Sequence, residues 1–146
     1  MNSILILSGC LIINKSNELL LLHRLDHDHY ETPGGKIKVD ECKDFNNPTI
    51  EELKNAAKRE LYEELKNAEF SELKYFEKVE FAIPCGKKAI AYKFITKIIK
   101  GKPEINEPEL FDKIEFIPIK NIERYKISPD LVLLTKKIRN YFTISL

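Results

Sequence analysis

Three glutamates that lie close together in the chain, Glu60, Glu63 and Glu64, have the residue type and spacing best suited to chemistry. On a helical wheel of roughly 100° per residue, Glu60 and Glu64 fall within the apolar arc and Glu63 lies at its edge. An unpaired carboxylate is costly to bury, and two carboxylates one helical turn apart also repel each other. The pattern therefore predicts that a positive charge lies between them.

Two sources of that positive charge are compatible with the sequence. Arg59 or a lysine from elsewhere in the chain would produce a structural ion-pair network. A divalent cation is the alternative, because three carboxylates on neighbouring ridges of one helix form a hard oxygen site that suits Mg²⁺ or Mn²⁺. No histidine or cysteine is interleaved to indicate zinc. The core-facing position of the carboxylates favours the metal.

The elements that position these glutamates can be read from the apolar pattern. Thr49 and Glu52 form a capping box, which predicts a helix that continues to about Leu65. Before it, residues 4–13 and 18–24 are apolar almost throughout, which predicts two strands buried on both faces and joined by a polar turn. Residues 33–35 read Pro-Gly-Gly, a tight turn where backbone is able to approach a ligand closely.

The second half of the chain predicts further strands and a second helix. Residues 73–84 and 89–100 are typical of a β-hairpin, and residues 114–119 of another short strand. Ser128 and Pro129 begin a C-terminal helix whose apolar residues share one face. Strands mixed with at least two helices indicate the α/β class, with a mixed β-sheet covered by helices.

Composition limits the class of protein. The 146 residues carry 24 Lys plus Arg against 23 Asp plus Glu, so we expect one domain over 1–146 and no nucleic-acid partner. The apolar opening at 4–13 is far shorter than the ~20 residues of a membrane span and lacks a signal peptide's basic region. We therefore expect no membrane partner and a cytoplasmic location. Three widely spaced cysteines are not typical of a disulfide framework.

The glutamate segment resembles the Nudix box, whose pattern is Gly-x5-Glu-x7-Arg-Glu-apolar-x-Glu-Glu-x-Gly-apolar. Gly35, Glu51 and residues 59–64, which read Arg-Glu-Leu-Tyr-Glu-Glu, supply the match, and residues 33–36 resemble its usual entry. Fifteen residues separate Gly35 from Glu51 where the pattern has five, which predicts an inserted loop at about 39–49. Lys66 replaces the final glycine, and Asn67, which tolerates a left-handed conformation, is expected to end the helix one residue late.

The resemblance implies a Nudix fold, an α/β/α sandwich, and an Mg²⁺- or Mn²⁺-dependent pyrophosphohydrolase. Its substrate would be a nucleoside diphosphate linked to another moiety, such as a nucleoside triphosphate or ADP-ribose, attacked by water at phosphorus. The implied metal ligands are the three glutamates, Glu60, Glu63 and Glu64, with the carbonyl oxygen of Gly35. The resemblance also implies that Arg59 and Glu51 pair to orient Glu60. A non-catalytic nucleotide-binding or regulatory module of the same fold is the alternative.

The resemblance allows two locations for the general base: a box glutamate, Glu60 or Glu63, or an acid on a later loop, Glu107 or Glu109. The sequence favours the box, because a helix holds its carboxylates rigidly, whereas Glu107 and Glu109 flank Pro108 in a segment typical of an exposed acidic loop.

Substrate contacts are predicted around the glycine turn. Gly34 and Gly35 would approach the ligand with their backbone, Arg24 would contact phosphate, and Tyr30 would stack on a base. A structural role for Arg24 is about equally compatible with its position at a strand end. The predicted partner is a small-molecule nucleotide, and a homodimer is a possible assembly.

Overall fold

The computed structural model describes residues 4–144, which form eight β-strands and two α-helices. Two 3₁₀ helices, Val39–Glu41 and Ile119–Arg124, lie between them. The strands and helices, in chain order, are β1 (Leu5–Ile13), β2 (Glu18–Arg24), β3 (His29–Glu31), β4 (Gly34–Lys36), α1 (Ile50–Glu64), β5 (Leu65–Phe70), β6 (Lys74–Ala82), β7 (Lys88–Ile105), β8 (Phe111–Pro118) and α2 (Pro129–Ile144).

The sheet is mixed, as predicted. β1 and β7 are parallel neighbours from the Leu5–Ala89 pair to the Ile13–Lys97 pair, while the remaining strand pairs are antiparallel. The strand order is β3-β2-β1-β7-β5, with β4 against β1, β6 against β7 and β8 against β2. This topology places β4, with its two glycines, directly beside the central strand β1.

Two hydrophobic layers lie on opposite faces of the sheet, one beneath each helix. Because side chains alternate along a strand, Cys10 and Ile12 of β1 pack in the α1 layer, whereas Leu11 and Ile13 pack in the α2 layer. Alternate residues of β2 divide between the layers in the same way. The prediction that β1 and β2 are buried on both faces is therefore confirmed, and the arrangement is an α/β/α sandwich.

The capping box that begins α1 is present. The backbone N–H of Glu52 donates to the Thr49 hydroxyl at 3.1 Å, and the backbone N–H of Thr49 donates to the Glu52 carboxylate at 2.9 Å. At its other end the helix stops at Glu64, because Leu65 has an extended conformation and begins β5. The expected left-handed end at Asn67 is wrong: Asn67 has φ 66°, but it lies in a bulge of β5.

The later elements largely follow the sequence pattern. The β6–β7 hairpin and α2, which begins at Pro129, are present, although β7 continues to Ile105. Three short strands, β3, β4 and β5, were not predicted, because none has a clear alternation of apolar residues. No helix in the part of the chain described here has both the length and the apolar character needed to cross a membrane.

Candidate active site

A cleft of about 930 Å³ opens beside the last turns of α1. It brings together the helix glutamates, the glycine turn of β4 and a loop that follows β7. The predicted site residues along its lining are Arg24, Gly34, Gly35, Arg59, Glu60, Glu63, Glu64 and Glu107. A volume of this size is sufficient for a nucleotide-sized ligand.

Glu64 is the most deeply buried acid of the cleft, with only 2% of its surface exposed. The backbone N–H of Gly34 donates to its Oε2 atom at 3.1 Å. Its Oε1 atom is buried and has no hydrogen-bond partner within residues 4–144. Burial, reinforced by the negative charge of Glu60, raises the pKa of Glu64 to about 9, although the Gly34 hydrogen bond opposes this shift. A charged Glu64 therefore requires a cation nearby.

The glycine turn lies against these carboxylates more closely than any side chain would allow. A Cβ atom added to Gly35 would overlap the carboxylate of Glu60, and one added to Gly34 would lie 2.8 Å from the Cα atom of Gly9. The two glycines thus let the β4 backbone lie next to both Glu60 and strand β1. This explains why the sequence has glycine at both positions.

Arg59 uses all five of its N–H donors within the protein. Its Nε and Nη2 atoms donate to the two carboxylate oxygens of Glu41, at 2.7 and 2.9 Å, and Nη2 also donates to the Lys36 carbonyl at 3.1 Å. Its Nη1 atom donates to Glu60 Oε1 and Glu63 Oε1, both at 3.0 Å. The hydrogen bond from Arg59 lowers the pKa of Glu41. Arg59 therefore fixes the orientation of three glutamates at once, Glu41, Glu60 and Glu63.

The expected pairing of Glu51 with Arg59 is wrong. Glu51 is exposed on the outer side of α1, where its carboxylate lies 3.3 Å from Lys54, and Glu41 takes the place beside Arg59. The sequence does contain a signal for this, because five residues separate Gly35 from Glu41, as the Gly-x5-Glu spacing requires. The ten additional residues therefore all lie between Glu41 and Arg59, after the 3₁₀ helix Val39–Glu41, so the inserted loop does not begin at residue 39.

Substitution of Glu41 and Glu51 tests this reassignment. We expect Glu41→Gln to lower the free energy of unfolding by about 1–3 kcal/mol, because it breaks a half-buried bidentate pair with Arg59. Glu51→Gln on the exposed face of the same helix should change it by less than about 0.5 kcal/mol. Urea unfolding of both variants beside the wild type measures the difference, and equal effects would contradict the reassignment.

The loop after β7 contributes Glu107 to the cleft and leaves Glu109 outside it. Glu107 is half-buried, and burial raises its pKa, with further contributions from the negative charges of Glu109, Glu63 and Glu60. Glu109 is exposed. The neighbouring Asn106 donates its backbone N–H to the Glu64 carbonyl at 2.9 Å and its side-chain amide to the Glu63 carbonyl at 3.0 Å. The loop is thereby attached to the end of α1.

The two predicted substrate contacts from the β2–β3 hairpin, Arg24 and Tyr30, have different positions. Arg24 lines the cleft, although its Nε atom donates to Asp26 at 2.7 Å and its guanidinium lies 5.8 Å from the centre of the Phe111 ring. Tyr30 does not line the cleft, and its ring packs edge-on against His23 and Tyr125. The prediction that Tyr30 stacks on a base is therefore not supported by its position, because its aromatic ring serves the packing beneath α2.

The carboxylates do not by themselves form a ready metal cluster. Within residues 4–144, no three histidine, cysteine, aspartate or glutamate side chains are grouped as a metal site. One oxygen of Glu60 and one of Glu63 are instead hydrogen-bonded to Arg59. The unpartnered buried oxygen of Glu64 nevertheless lies beside an all-oxygen donor set, which fits a hard divalent cation.

The comparisons with known proteins identify this arrangement. The chain has the fold of MutT-type proteins: it is 16% identical to a MutT Nudix hydrolase from Burkholderia pseudomallei, over 92% of this chain and 98% of that one, with a TM-score of 0.74. A MutT protein from Methanosarcina mazei Go1 is 19% identical over 96% of each chain, also with a TM-score of 0.74.

A sequence model of the NUDIX domain matches residues 7–137. The chain therefore belongs to the Nudix family and is a hydrolase, and the predicted Nudix fold is confirmed. Members of this family generally hydrolyse the pyrophosphate bond of nucleoside diphosphate derivatives with divalent metal ions. No curated protein sequence matches the chain significantly.

Proposed function

We propose that this Nudix hydrolase requires Mg²⁺ or Mn²⁺ and cleaves the pyrophosphate bond of a nucleoside diphosphate linked to another moiety. The observation that carries the proposal is the buried, unpartnered oxygen of Glu64 next to Glu60. A carboxylate in that position gains most from a cation, because burial otherwise forces it to hold a proton.

The residues that would hold the metal are Glu60, Glu63 and Glu64, together with the carbonyl oxygen of Gly35. When bound, the cation would neutralise negative charge on the phosphate oxygens and lower the pKa of the coordinated water. The protein's own contribution is orientation: the Gly34 N–H holds one oxygen of Glu64, and Arg59 holds one oxygen each of Glu60 and Glu63. Fixed ligands of this kind need no reorganisation when substrate binds.

We assign the proton acceptor for the attacking water to Glu107. Its carboxylate lines the cleft and faces the helix glutamates, and its raised pKa makes it a better acceptor than an ordinary carboxylate. Glu60 and Glu63 each have an oxygen already hydrogen-bonded to Arg59, so that oxygen is not free to accept a hydrogen bond from the attacking water. This proposal places the base on the loop, whereas the sequence favoured a glutamate of the helix.

A nucleotide-type substrate is supported by one further comparison. The NUDIX domain of Shewanella oneidensis NrtR, described in a complex with ADP ribose, is 12% identical over 97% of this chain and 90% of that one, with a TM-score of 0.68. We infer from it that an ADP-ribose or nucleoside triphosphate type of ligand occupies the cleft. A cytoplasmic location and a homodimer stay predictions from the sequence.

Metal-dependent turnover of a nucleotide panel tests the proposal. The wild type should release phosphate-containing product from at least one nucleoside triphosphate, nucleotide sugar or ADP-ribose when Mg²⁺ or Mn²⁺ is titrated in, and none in the presence of a chelator. Glu60→Gln serves as the inactive reference. Stabilisation of the fold by a nucleotide without turnover of any panel member would contradict the proposal and favour a non-catalytic binding module.

A further inference from the structure

One histidine of β2 bridges two aspartates from different parts of the chain. His23 Nδ1 lies 2.6 Å from Asp112 Oδ1 in β8, and His23 Nε2 lies 3.0 Å from Asp28 Oδ1, at the end of the turn between β2 and β3. The imidazole is half-buried, with 15% of the side chain exposed. His23 therefore connects that turn, residues 25–28, to strand β8.

Both contacts are hydrogen bonds only when the imidazole carries two protons. A neutral imidazole has one N–H donor and one acceptor nitrogen, whereas an ionised carboxylate only accepts. Loss of one proton consequently leaves a ring lone pair facing one of the two carboxylates. The contact with Asp28 is the longer one, and 81% of the Asp28 side chain is exposed against 37% for Asp112. The contact with Asp28 is therefore the weaker of the two.

The backbone of Asp28 makes the turn depend on this contact. Asp28 has φ 47°, in the left-handed region, which residues other than glycine seldom occupy, although aspartate tolerates it better than most. A sparsely populated conformation persists when contacts around it hold it in place. The hydrogen bond to His23 is such a contact, so its loss allows the turn to relax.

The same turn forms part of the cleft wall. Arg24 and His27 line the cleft, whereas His23 and its two aspartate partners do not. The turn also holds Arg24, because the Nε atom of Arg24 donates to Asp26 Oδ1 at 2.7 Å. The position of a cationic group on the cleft wall therefore depends on a turn that is fixed by a histidine outside the cleft.

Three further charged or titratable groups lie next to His23. The ring of Tyr30 in β3 packs edge-on at 5.0 Å, Lys113 is the cross-strand neighbour in β8, and Arg24 follows in the chain. Side chains of these three types ordinarily titrate at about pH 10 or above. His23 is therefore the group of this cluster that titrates near neutral pH.

The two carboxylates favour the charged form of His23. The hydrogen bond to Asp112 raises the pKa of His23 above its ordinary value of 6.5; burial opposes the shift, and Asp28 adds to it. The same hydrogen bond lowers the pKa of Asp112. The imidazolium is therefore present below the raised pKa and is lost as pH rises through it.

We propose that His23 is a positioning residue, whose imidazolium form fixes the β2–β3 turn and thereby the guanidinium of Arg24 for contact with a phosphate of the substrate. This rests on the proposed function, because that function supplies a substrate with phosphate groups. In the neutral form of His23 the contact with Asp28 is lost, the turn becomes more mobile, and Arg24 contributes less to binding.

Nitrogen-15 NMR of the metal-free protein tests the effect on the turn without any substrate. The ring nitrogens of His23 report its protonation, and order parameters of the backbone amides of residues 26–28 report the mobility of the turn. We expect order parameters of about 0.85 at pH 6 and below about 0.6 at pH 8.5. Equal rigidity at both pH values, or a His23 that keeps both protons at pH 8.5, would overturn the proposal.

Asp28→Asn separates this role from simple packing. The amide of asparagine accepts through its oxygen and donates through its nitrogen, so it bonds to either form of His23. Asparagine also tolerates the left-handed conformation. We therefore expect the turn of this variant to be rigid at both pH values. Loosening with pH as in the wild type, or mobility at both pH values, would contradict the role of His23.

Binding of methylenediphosphonate tests the connection between the turn and the cleft. This pyrophosphate analogue has a P–C–P bridge that resists hydrolysis, and its own ionisation cancels when two proteins are compared. With Mg²⁺ present, the wild type should lose at least about fivefold more affinity between pH 6 and pH 8.5 than Asp28→Asn does, the effect of weakening one charge-assisted hydrogen bond. Equal losses, or no binding at either pH, would overturn the positioning role.

Asp44→Asn is the matched control. Asp44 lies between Glu41 and α1, is exposed, accepts a hydrogen bond from the backbone N–H of Asn46 and does not line the cleft. Its substitution removes the same charge from another exposed loop, so its affinity for the analogue should follow that of the wild type at both pH values.

The two proposals fail separately. If the analogue binds with the expected pH dependence but no nucleotide of the panel is hydrolysed, the proposed function fails and the positioning role stands. If a nucleotide is hydrolysed but the turn is equally rigid at both pH values, the positioning role fails and the proposed function stands.

Discussion

Replacing Glu64 with glutamine should lower turnover by at least about 10²-fold and leave the fold intact. Glutamine keeps the size of the side chain and an acceptor for the Gly34 N–H, but it removes the negative charge that a cation requires. Steady-state kinetics at several Mg²⁺ concentrations measure the loss. Glu51→Gln, on the exposed side of the same helix, is the control and should have wild-type kinetics.

Glu64→Gln should also stabilise the metal-free protein, and the pH dependence of the free energy of unfolding shows the reason. The pKa of Glu64 is about 9 in the folded chain against an ordinary value of 4.5, so between these values the folded state binds more protons than the unfolded state. Stability therefore falls as pH rises through this window. In Glu64→Gln that contribution disappears, and the free energy of unfolding in chelator should depend less on pH and exceed that of the wild type near neutral pH.

Two observations would remove Glu64 from the site. One is near-wild-type turnover of Glu64→Gln with an unchanged dependence on Mg²⁺. The other is an identical pH dependence of unfolding for the variant and the wild type, since it would mean that Glu64 does not hold a proton in the metal-free protein.

Glu107→Gln should lower kcat by about 10²–10⁴-fold while leaving Mg²⁺ affinity nearly unchanged, because a lost proton acceptor affects the chemical step alone. Glu109→Gln on the same loop is exposed and outside the cleft, so it should be close to wild type. Single-turnover rates together with Mg²⁺ titrations of both variants separate the two effects. A mild effect of Glu107→Gln together with loss of turnover in Glu63→Gln would contradict the assignment and show that the general base is on helix α1.

The sequence alone predicted those elements in which apolar burial and local backbone preference favour the same structure. The unbroken apolar runs of β1 and β2 predicted burial on both faces, and the capping box at Thr49 predicted the start of α1. The core-facing positions of Glu60 and Glu64 on the wheel agree with the structure, in which Glu64 is buried and Glu60 half-buried.

Other parts of the site depend on contacts between segments distant in the chain. Glu41 has the box spacing after Gly35, whereas Glu51 has the box spacing before Arg59, so the sequence supports each of them equally. In the structure the 3₁₀ helix Val39–Glu41 places Glu41 beside Arg59. Tyr30 has the type of a base-stacking residue, but the packing of Tyr125 and His23 determines where its ring lies. Glu107 and Glu109 flank one proline, and local sequence does not indicate which of them faces the helix.

Asn106 attaches the loop after β7 to the C-terminal end of helix α1. Its two hydrogen bonds to the last carbonyls of α1 occupy acceptors that every helix leaves unpaired at its C-terminus, so the loop acts as the helix cap. The conformational entropy needed to order Glu107 is consequently lost when the protein folds and not when substrate binds. The loop after β7 therefore belongs to the same rigid body as the glutamates of α1, and its length is coupled to the position where α1 ends.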